Sequence, residues 1–93
     1  MRDDKFEWDD RKAAANLPKH KISFRQARLA FDDPRAIVRP DFDEADEERF
    51  LLTGLLGVRM VTVVFTERGP RKRIISARKA TKNEQSDYAS QEI

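Results

Sequence analysis

The sequence predicts a small α+β domain: an antiparallel sheet of about four to five strands, with two helices before it and one after. Three observations predict it. Ninety-three residues leave room for one core. Residues 58–66 alternate as a strand does, with Val61, Val63 and Phe65 on one face and Met60 and Val64 on the other. A strand apolar on both faces is central in its sheet. Two capping boxes, Ser23 to Gln26 and Thr81 to Glu84, open helices on either side of the strand-rich stretch.

The elements follow in order. Lys5 to Trp8 is a short alternating segment and reads as an edge strand. Asp9 or Asp10 caps a helix from Arg11 to about Leu17, rich in Ala13, Ala14 and Ala15, and Pro18 is expected to end or kink it. The second helix starts at the Ser23 cap and runs to about Phe31, where Asp32-Asp33-Pro34 stops it. Phe24, Ala27, Ala30 and Phe31 give it one buried face. Ala36 to Arg39 is a strand stopped by Pro40, and the acidic stretch 41–48 follows as a loop. Arg49 to Leu56 is a strand that turns near Gly57, Val58 to Thr66 is the central strand, and Arg71 to Ala77 returns after a tight Arg68-Gly69-Pro70 turn. The Thr81 cap opens a last helix through Tyr88. The helices are expected against one face of the sheet, in a single domain over 1–93 with about 1–4 and 89–93 flexible.

Composition excludes several classes. The 19 basic and 17 acidic residues leave a net charge of +2, no cysteine is present, and one histidine cannot supply a zinc site of the His/Cys type. No stretch approaches 18 apolar residues, and Met1-Arg2-Asp3-Asp4-Lys5 has no apolar core of a leader, so a cytoplasmic protein with no membrane partner is expected. The three glycines, at 54, 57 and 69, form no phosphate loop. Asp41 to Asp46 resembles a calcium loop only superficially, because Ala45 falls at a ligand position and the turn glycine is missing. No cofactor and no metal are expected.

The charge is unevenly spread. Residues 1–50 carry 11 bases and 13 acids, residues 51–93 carry 8 and 4. Arg68, Arg71, Lys72, Arg73, Arg78, Lys79 and Lys82 put seven bases in fifteen positions with no acid among them. Such a stripe is either a solvated surface or the footprint of a phosphate backbone. Metal-free RNA cleavage can work with this inventory. The 2′-hydroxyl attacks the adjacent phosphorus, guanidinium groups stabilise the charge that builds on the phosphoryl oxygens, and another group moves the proton. Arginine suits that work because its planar fork grips phosphate bidentately.

Each candidate has a structural alternative. His20, the chain's one imidazole and so a natural acid or base by residue type, serves either in that role or as a bond to a carbonyl at a helix end. Trp8 is core or a base-stacking platform, and Tyr88 packs or joins a site. Arg73 and Arg78 differ by an odd number, so a regular strand points them to opposite faces. They share a site only if the strand ends or bulges near Ser76. Arg78 stands at the strand end before the Thr81 cap, where the helix amides also favour an anion, and its loss is expected to cost under about 1 kcal/mol of stability.

A family resemblance joins these pieces. Phe6-Glu7-Trp8-Asp9, Lys12, Asn16, Lys19-His20, Phe24, Ala27 and Phe31-Asp32-Asp33-Pro34 resemble the N-terminal half of the BrnT toxins. Glu48-Arg49-Phe50, Gly54, Val63-Val64-Phe65-Thr66, Arg73 to Thr81, Glu84 and Tyr88 continue the resemblance over about residues 5–88. One departure is Lys21, where the family usually has glycine, so the left-handed turn is expected to be built otherwise. The resemblance implies a RelE-like fold and a bacterial type II toxin that acts as a ribonuclease and arrests translation. It implies a BrnA-like DNA-binding antitoxin as partner, with operator DNA reached only through that antitoxin. By position, Arg68 or its neighbour Glu67, Arg78 and Trp8 fall where the family places functional residues. The expected catalytic set is Arg78, Arg68, His20 and Arg73, with His20 or Lys79 handling the proton. Trp8, Arg71, Lys72, Lys79, Lys82 and Tyr88 are expected to hold RNA. The competing expectation is a binding module that docks nucleic acid or an acidic partner without cleavage.

Overall fold

A computed structural model describes residues 1–41 and 48–91. The elements are β1 (Phe6–Trp8), α1 (Asp10–His20), α2 (Phe24–Ala27) continued by a 3-10 turn (Arg28–Asp32), β2 (Ile37–Asp41), β3 (Arg49–Leu56), β4 (Arg59–Arg68), β5 (Arg71–Lys79) and α3 (Lys82–Ala89). They build an α+β domain around one five-stranded sheet of order β1-β5-β4-β3-β2. Strands β2 to β5 meander antiparallel as expected, with β4 in the centre. The edge strand β1 pairs parallel to β5, so the sheet is mixed. The stretch of α1, α2 and the 3-10 turn carries the chain from β1 across the sheet to β2 at the opposite edge, and the parallel partner β5 arrives only after β2, β3 and β4.

Local chemistry accounts for the boundaries. Asp9 caps α1 through the amides of Arg11 and Lys12, and α1 then runs through Pro18 instead of stopping at Leu17. Pro18 forgoes its own bond to the Ala14 carbonyl, and beyond it the Lys21 amide still closes the last turn on the Leu17 carbonyl. The helix ends at Lys21, which itself takes the left-handed conformation (φ 61°) and donates its amide to the Leu17 carbonyl. The turn a glycine would make is therefore made by a lysine. Both capping boxes form as read from the sequence. The second helix is split, because after Ala27 the chain tightens into 3-10 geometry. That tightening keeps Ala30 buried against β3, where Gly54 leaves no room for a side chain: a Cβ there would stand 3.1 Å from the Ala30 carbonyl. Pro40 lies inside β2 instead of ending it, which an edge strand permits. The acidic loop over 42–47, and the candidate calcium ligands within it, lie outside the described residues.

One face of the sheet carries the core. Val61, Val63 and Phe65 of β4 pack with Leu52, Ile74, Ala77 and Trp8 beneath Ile22, Phe24, Ala27 and Ala30. Phe6, Phe31, Phe65 and Phe50 continue it as a chain of ring contacts, edge-on at Phe6–Phe31 and Phe31–Phe65. Where β1 ends, Asn16 of α1 takes over the edge of β5. Its side chain accepts from the Ala77 amide at 3.2 Å and donates to the Ala77 carbonyl at 2.9 Å, as a neighbouring strand would. The segment 1–4, expected to be loose, is hydrogen-bonded to β1: Trp8 donates to the Met1 carbonyl, and Asp3 accepts from Phe6.

All helices were expected on the core face, and α3 is the exception. Its inward residues are Glu84 and Tyr88, not an apolar stripe, and it lies over the opposite face, where β4 presents Thr62 rather than valine. Among the described residues no helix is long and apolar enough to cross a membrane.

Candidate nucleic-acid interface

The odd spacing of Arg73 and Arg78 is resolved by a β-bulge. Val64 pairs with Ser76, but the next residue, Phe65, pairs with Ile74, so Ile75 is an extra residue in β5. The inserted residue resets the alternation. Thr62, Val64 and Thr66 share one face of β4, and their partners Arg78, Ser76 and Arg73 therefore share that face too.

The register lays out this second face in rows. Arg78 continues through Thr62 and Thr53 to Ile37, and Ser76 through Val64 and Leu51 to Arg39. Arg73 stands between Glu7 of β1 and Thr66 of β4, while Arg49 and Asp41 pair at the far edge. Arg68 and Arg71 close the β4–β5 hairpin on the same side. Six arginines (39, 49, 68, 71, 73 and 78) thus occupy one face, drawn from four strands. The described carboxylates on those strand positions are Glu7 and Asp41, and α3 adds Glu84.

Two ion-pair systems fix the arginines. Arg73 donates to Glu7 at 2.6 Å, with both side chains partly buried. Arg78 grips Glu84 with both ends of its fork, at 2.7 and 3.1 Å, and Arg39 adds a bond to the same Glu84 oxygen, Oε2. Glu84 is only 2% exposed. It also takes the Thr81 amide at 2.8 Å, closing the capping box. Burial works against its charge. The Arg78 hydrogen bonds, the Thr81 amide, the Thr62 hydroxyl and the charge of Arg78 together outweigh that penalty and hold the carboxyl at about 2, against an ordinary 4.5. Beneath it the Thr53 and Thr62 hydroxyls bond each other at 2.8 Å. Arg78 therefore does stand beside the α3 N-terminus, but the anion that this corner holds is the protein's own Glu84.

The structure brings some expected residues together and separates others. Arg73, Arg78, Arg68 and Arg71 share the face, although the Arg71 Nε donates to the Asp3 carbonyl at 2.6 Å. Lys79 pairs with Val61 and so points the other way from its neighbour Arg78. Lys72 pairs with Glu67 and leans over the Phe65 ring, also on the core side. Lys82 is exposed in the first turn of α3. His20 lies in the last turn of α1, on the helical layer that covers the core. Trp8 is 7% exposed and packs edge-on against Phe24, which makes it a core residue. Tyr88 donates to Asp33 Oδ2 at 2.7 Å. That bond pushes the phenol pKa up, while it and the Leu55 and Arg35 amides hold Asp33 low against its burial. Sequence reasoning missed Arg39 and Glu7, which lie far from the basic stripe, and saw Glu84 only as a cap. The available signal was the odd spacing, which made a bulge the condition for a shared site.

The floor of the face is small and mixed, with Ser76, Val64 and Leu51 partly exposed between the two arginine pairs. Fixed guanidiniums over such a floor suit an extended polyanion. Among the described residues, no group of three or more His, Asp or Glu side chains is placed to hold a metal ion. A family model described as the ribonuclease toxin, BrnT, of type II toxin–antitoxin systems matches residues 8–84. No curated protein matches the chain.

Proposed function

The chain belongs to the BrnT family of ribonuclease toxins of type II toxin–antitoxin systems, and on that premise we propose that its arginine face cleaves RNA without a metal. The observation that carries this reading is the bulge at Ile75, which sets Arg73 and Arg78 on one face with Ser76 between them. A phosphate over Ser76 meets one guanidinium from each side. Each guanidinium has five N–H donors, so pairing with a carboxylate leaves donors for phosphate oxygens. The 2′-oxygen bonds to phosphorus, the bond to the 5′-oxygen breaks, and the arginines hold the two non-bridging oxygens as their charge grows. Glu7, whose Oε2 lies 2.6 Å from Arg73, is the carboxylate placed to accept the 2′-proton. The departing 5′-oxygen takes a proton from water. His20 and Lys79, on the other layer, leave this role to Glu7.

The cell-level reading follows from the family. The toxin acts on RNA in the cytoplasm and arrests translation and growth, and a BrnA-like DNA-binding antitoxin neutralises it and carries the complex to operator DNA. The decisive experiment is RNA cleavage by the purified protein in excess EDTA. Cleavage should persist, leave 2′,3′-cyclic or 3′-phosphate ends, and stop at a 2′-deoxy position. Activity lost on chelation and restored by magnesium would overturn the mechanism.

A further inference from the structure

Of the two arginines on this face outside the basic stripe of residues 68–82, Arg39 and Arg49, the one that reaches Glu84 is Arg39. It sits on the edge strand β2, its side chain is 52% exposed, and it bonds the same Glu84 oxygen that Arg78 holds at 3.1 Å. Glu84 comes from a third element, α3, and its side chain is 3% exposed. Two guanidiniums on one buried carboxylate leave this trio with a net charge of +1.

We propose that Glu84 is a positioning residue that sets Arg39 and Arg78 as two arms of one phosphate clamp, with Arg39 binding a backbone phosphate of the RNA next to the one being cleaved. An exposed arginine normally gives up rotamer entropy when it engages a ligand. Here the bond to Glu84 has already restricted both side chains. Glu84 stays ionised far into acid, so the anchor holds wherever RNA is intact. Its second oxygen is also tied to the Thr81 amide, which fixes the carboxylate to α3 as well as to the sheet.

Direction of approach follows from the neighbours. A small cleft between Arg39 and α3 is lined by Ile37, Val38, Thr53, Glu84 and Asp87. Glu84 is already paired there, and the exposed Asp87 carboxylate disfavours an anion from that side. The opposite side of Arg39 looks along the row Leu51, Val64, Ser76, toward the scissile position between Arg73 and Arg78. That row crosses three strand spacings at the backbone, roughly 14 Å, while the Arg39 and Arg78 heads converge on one Glu84 oxygen, the close spacing that neighbouring phosphates need.

The clamp rests on the reading of this face as the RNA-cleaving site, and the test separates the two. Binding of a fully 2′-O-methylated RNA oligonucleotide is measured against sodium chloride concentration, and cleavage of unmodified RNA in parallel, for wild type, Arg39→Ala, Arg39→Lys and Glu84→Gln. Loss of one single-strand phosphate contact should lower the slope of log affinity against log salt by about 0.7. Arg39→Ala should show that drop with roughly tenfold weaker binding, and Arg39→Lys should restore the slope but only part of the affinity. Glu84→Gln keeps an acceptor for the Thr81 amide and adds one positive charge. It should bind as tightly as wild type or tighter while its cleavage rate falls, a split that simple loss of structure does not produce. Wild-type slope and affinity in Arg39→Ala, with wild-type cleavage intact, would overturn the clamp alone. Glu84→Gln that is folded and cleaves at the wild-type rate would remove Glu84 from it, and if this variant unfolds, the two Arg39 variants decide. A wild-type protein that neither binds nor cleaves RNA would overturn the face and the clamp together.

Discussion

Arg78→Ala perturbs the arginine face at its most connected point. Position at a strand end implied a loss under about 1 kcal/mol, and the ion pair raises that figure. The substitution strips two charge-assisted bonds, of 2.7 and 3.1 Å, from a carboxylate that is 2% exposed. Removing the sole partner of a buried charge costs about 3–5 kcal/mol. Glu84 keeps Arg39, the Thr81 amide and the Thr62 hydroxyl, so the loss is smaller. The carboxyl held at about 2 instead of 4.5 is the net of its partners over burial, about 3 kcal/mol, and that net is shared among Arg78, Arg39, the Thr81 amide and the Thr62 hydroxyl. The Arg78 side chain is 29% exposed, and screening through that wet side brings the expected loss to about 1.5 kcal/mol. For a domain of this size that lowers Tm by roughly 6–12 °C. The sign with pH is fixed by linkage. A carboxyl with a depressed folded pKa contributes stability that is fully present above its unfolded value near 4.5 and is lost as pH falls toward 2. The gap between wild type and Arg78→Ala should therefore be full at pH 7 and narrow progressively from pH 5 to 2. Thermal unfolding of wild type, Arg78→Ala, Glu84→Gln and the double variant closes a mutant cycle. Strict additivity of the two substitutions, or a gap that does not change with pH, would refute the ion-pair account. On the proposed mechanism, cleavage by Arg78→Ala falls by about 10²–10³, and Arg78→Lys recovers only part of it.

Two further substitutions test the scaffold that holds this face. Lys21→Gly should stabilise by about 1 kcal/mol, because the left-handed conformation at φ 61° strains a lysine and not a glycine. Chemical denaturation should show the midpoint rising, and an unchanged or lower midpoint would show that the lysine side chain contributes more than the strain removes. Asn16→Ala should cost about 2–3 kcal/mol, since it leaves the buried Ala77 amide and the carbonyls of Ala77 and Ile22 without their partner. Amide exchange at Ala77 should accelerate in the same variant, and native protection there would refute the edge-closing role of Asn16.

Much of the fold was legible because local chemistry and hydrophobic pattern agreed. The two capping boxes, the strand Arg49–Leu56 and the central β4 with Val61, Val63 and Phe65 inward needed only periodicity and hydrogen-bonding rules. Pro40 misled because it stands on the edge strand β2, where a missing amide costs little, and Pro18 because the Lys21 amide still closes the last turn of α1 on the Leu17 carbonyl beyond it. Parallel pairing of β1 was not legible, since three residues carry no signal of strand direction. The basic stripe was legible as composition but not as a surface. Arg78 and Lys79 are adjacent in sequence and face opposite sides, while Arg39 and Arg78 are 39 residues apart and share one carboxylate.

Glu84 carries a general point about such sites. Sequence assigns it to a cap, and a cap it is. A carboxylate has two oxygens with about four acceptor positions, and closing the box with the Thr81 amide uses one of them. The remainder must be satisfied once the residue is 2% exposed, and only charged or hydroxyl donors can offset that much burial. The strand that precedes the cap supplies Arg78, the floor supplies Thr62, and the far edge supplies Arg39. A capping acid directly after an arginine-bearing strand therefore has two consequences at once. It opens the helix, and it decides where the guanidiniums of a neighbouring phosphate site stand. Arg78 and Glu84 are six positions apart, and the geometry of the whole face depends on that short interval.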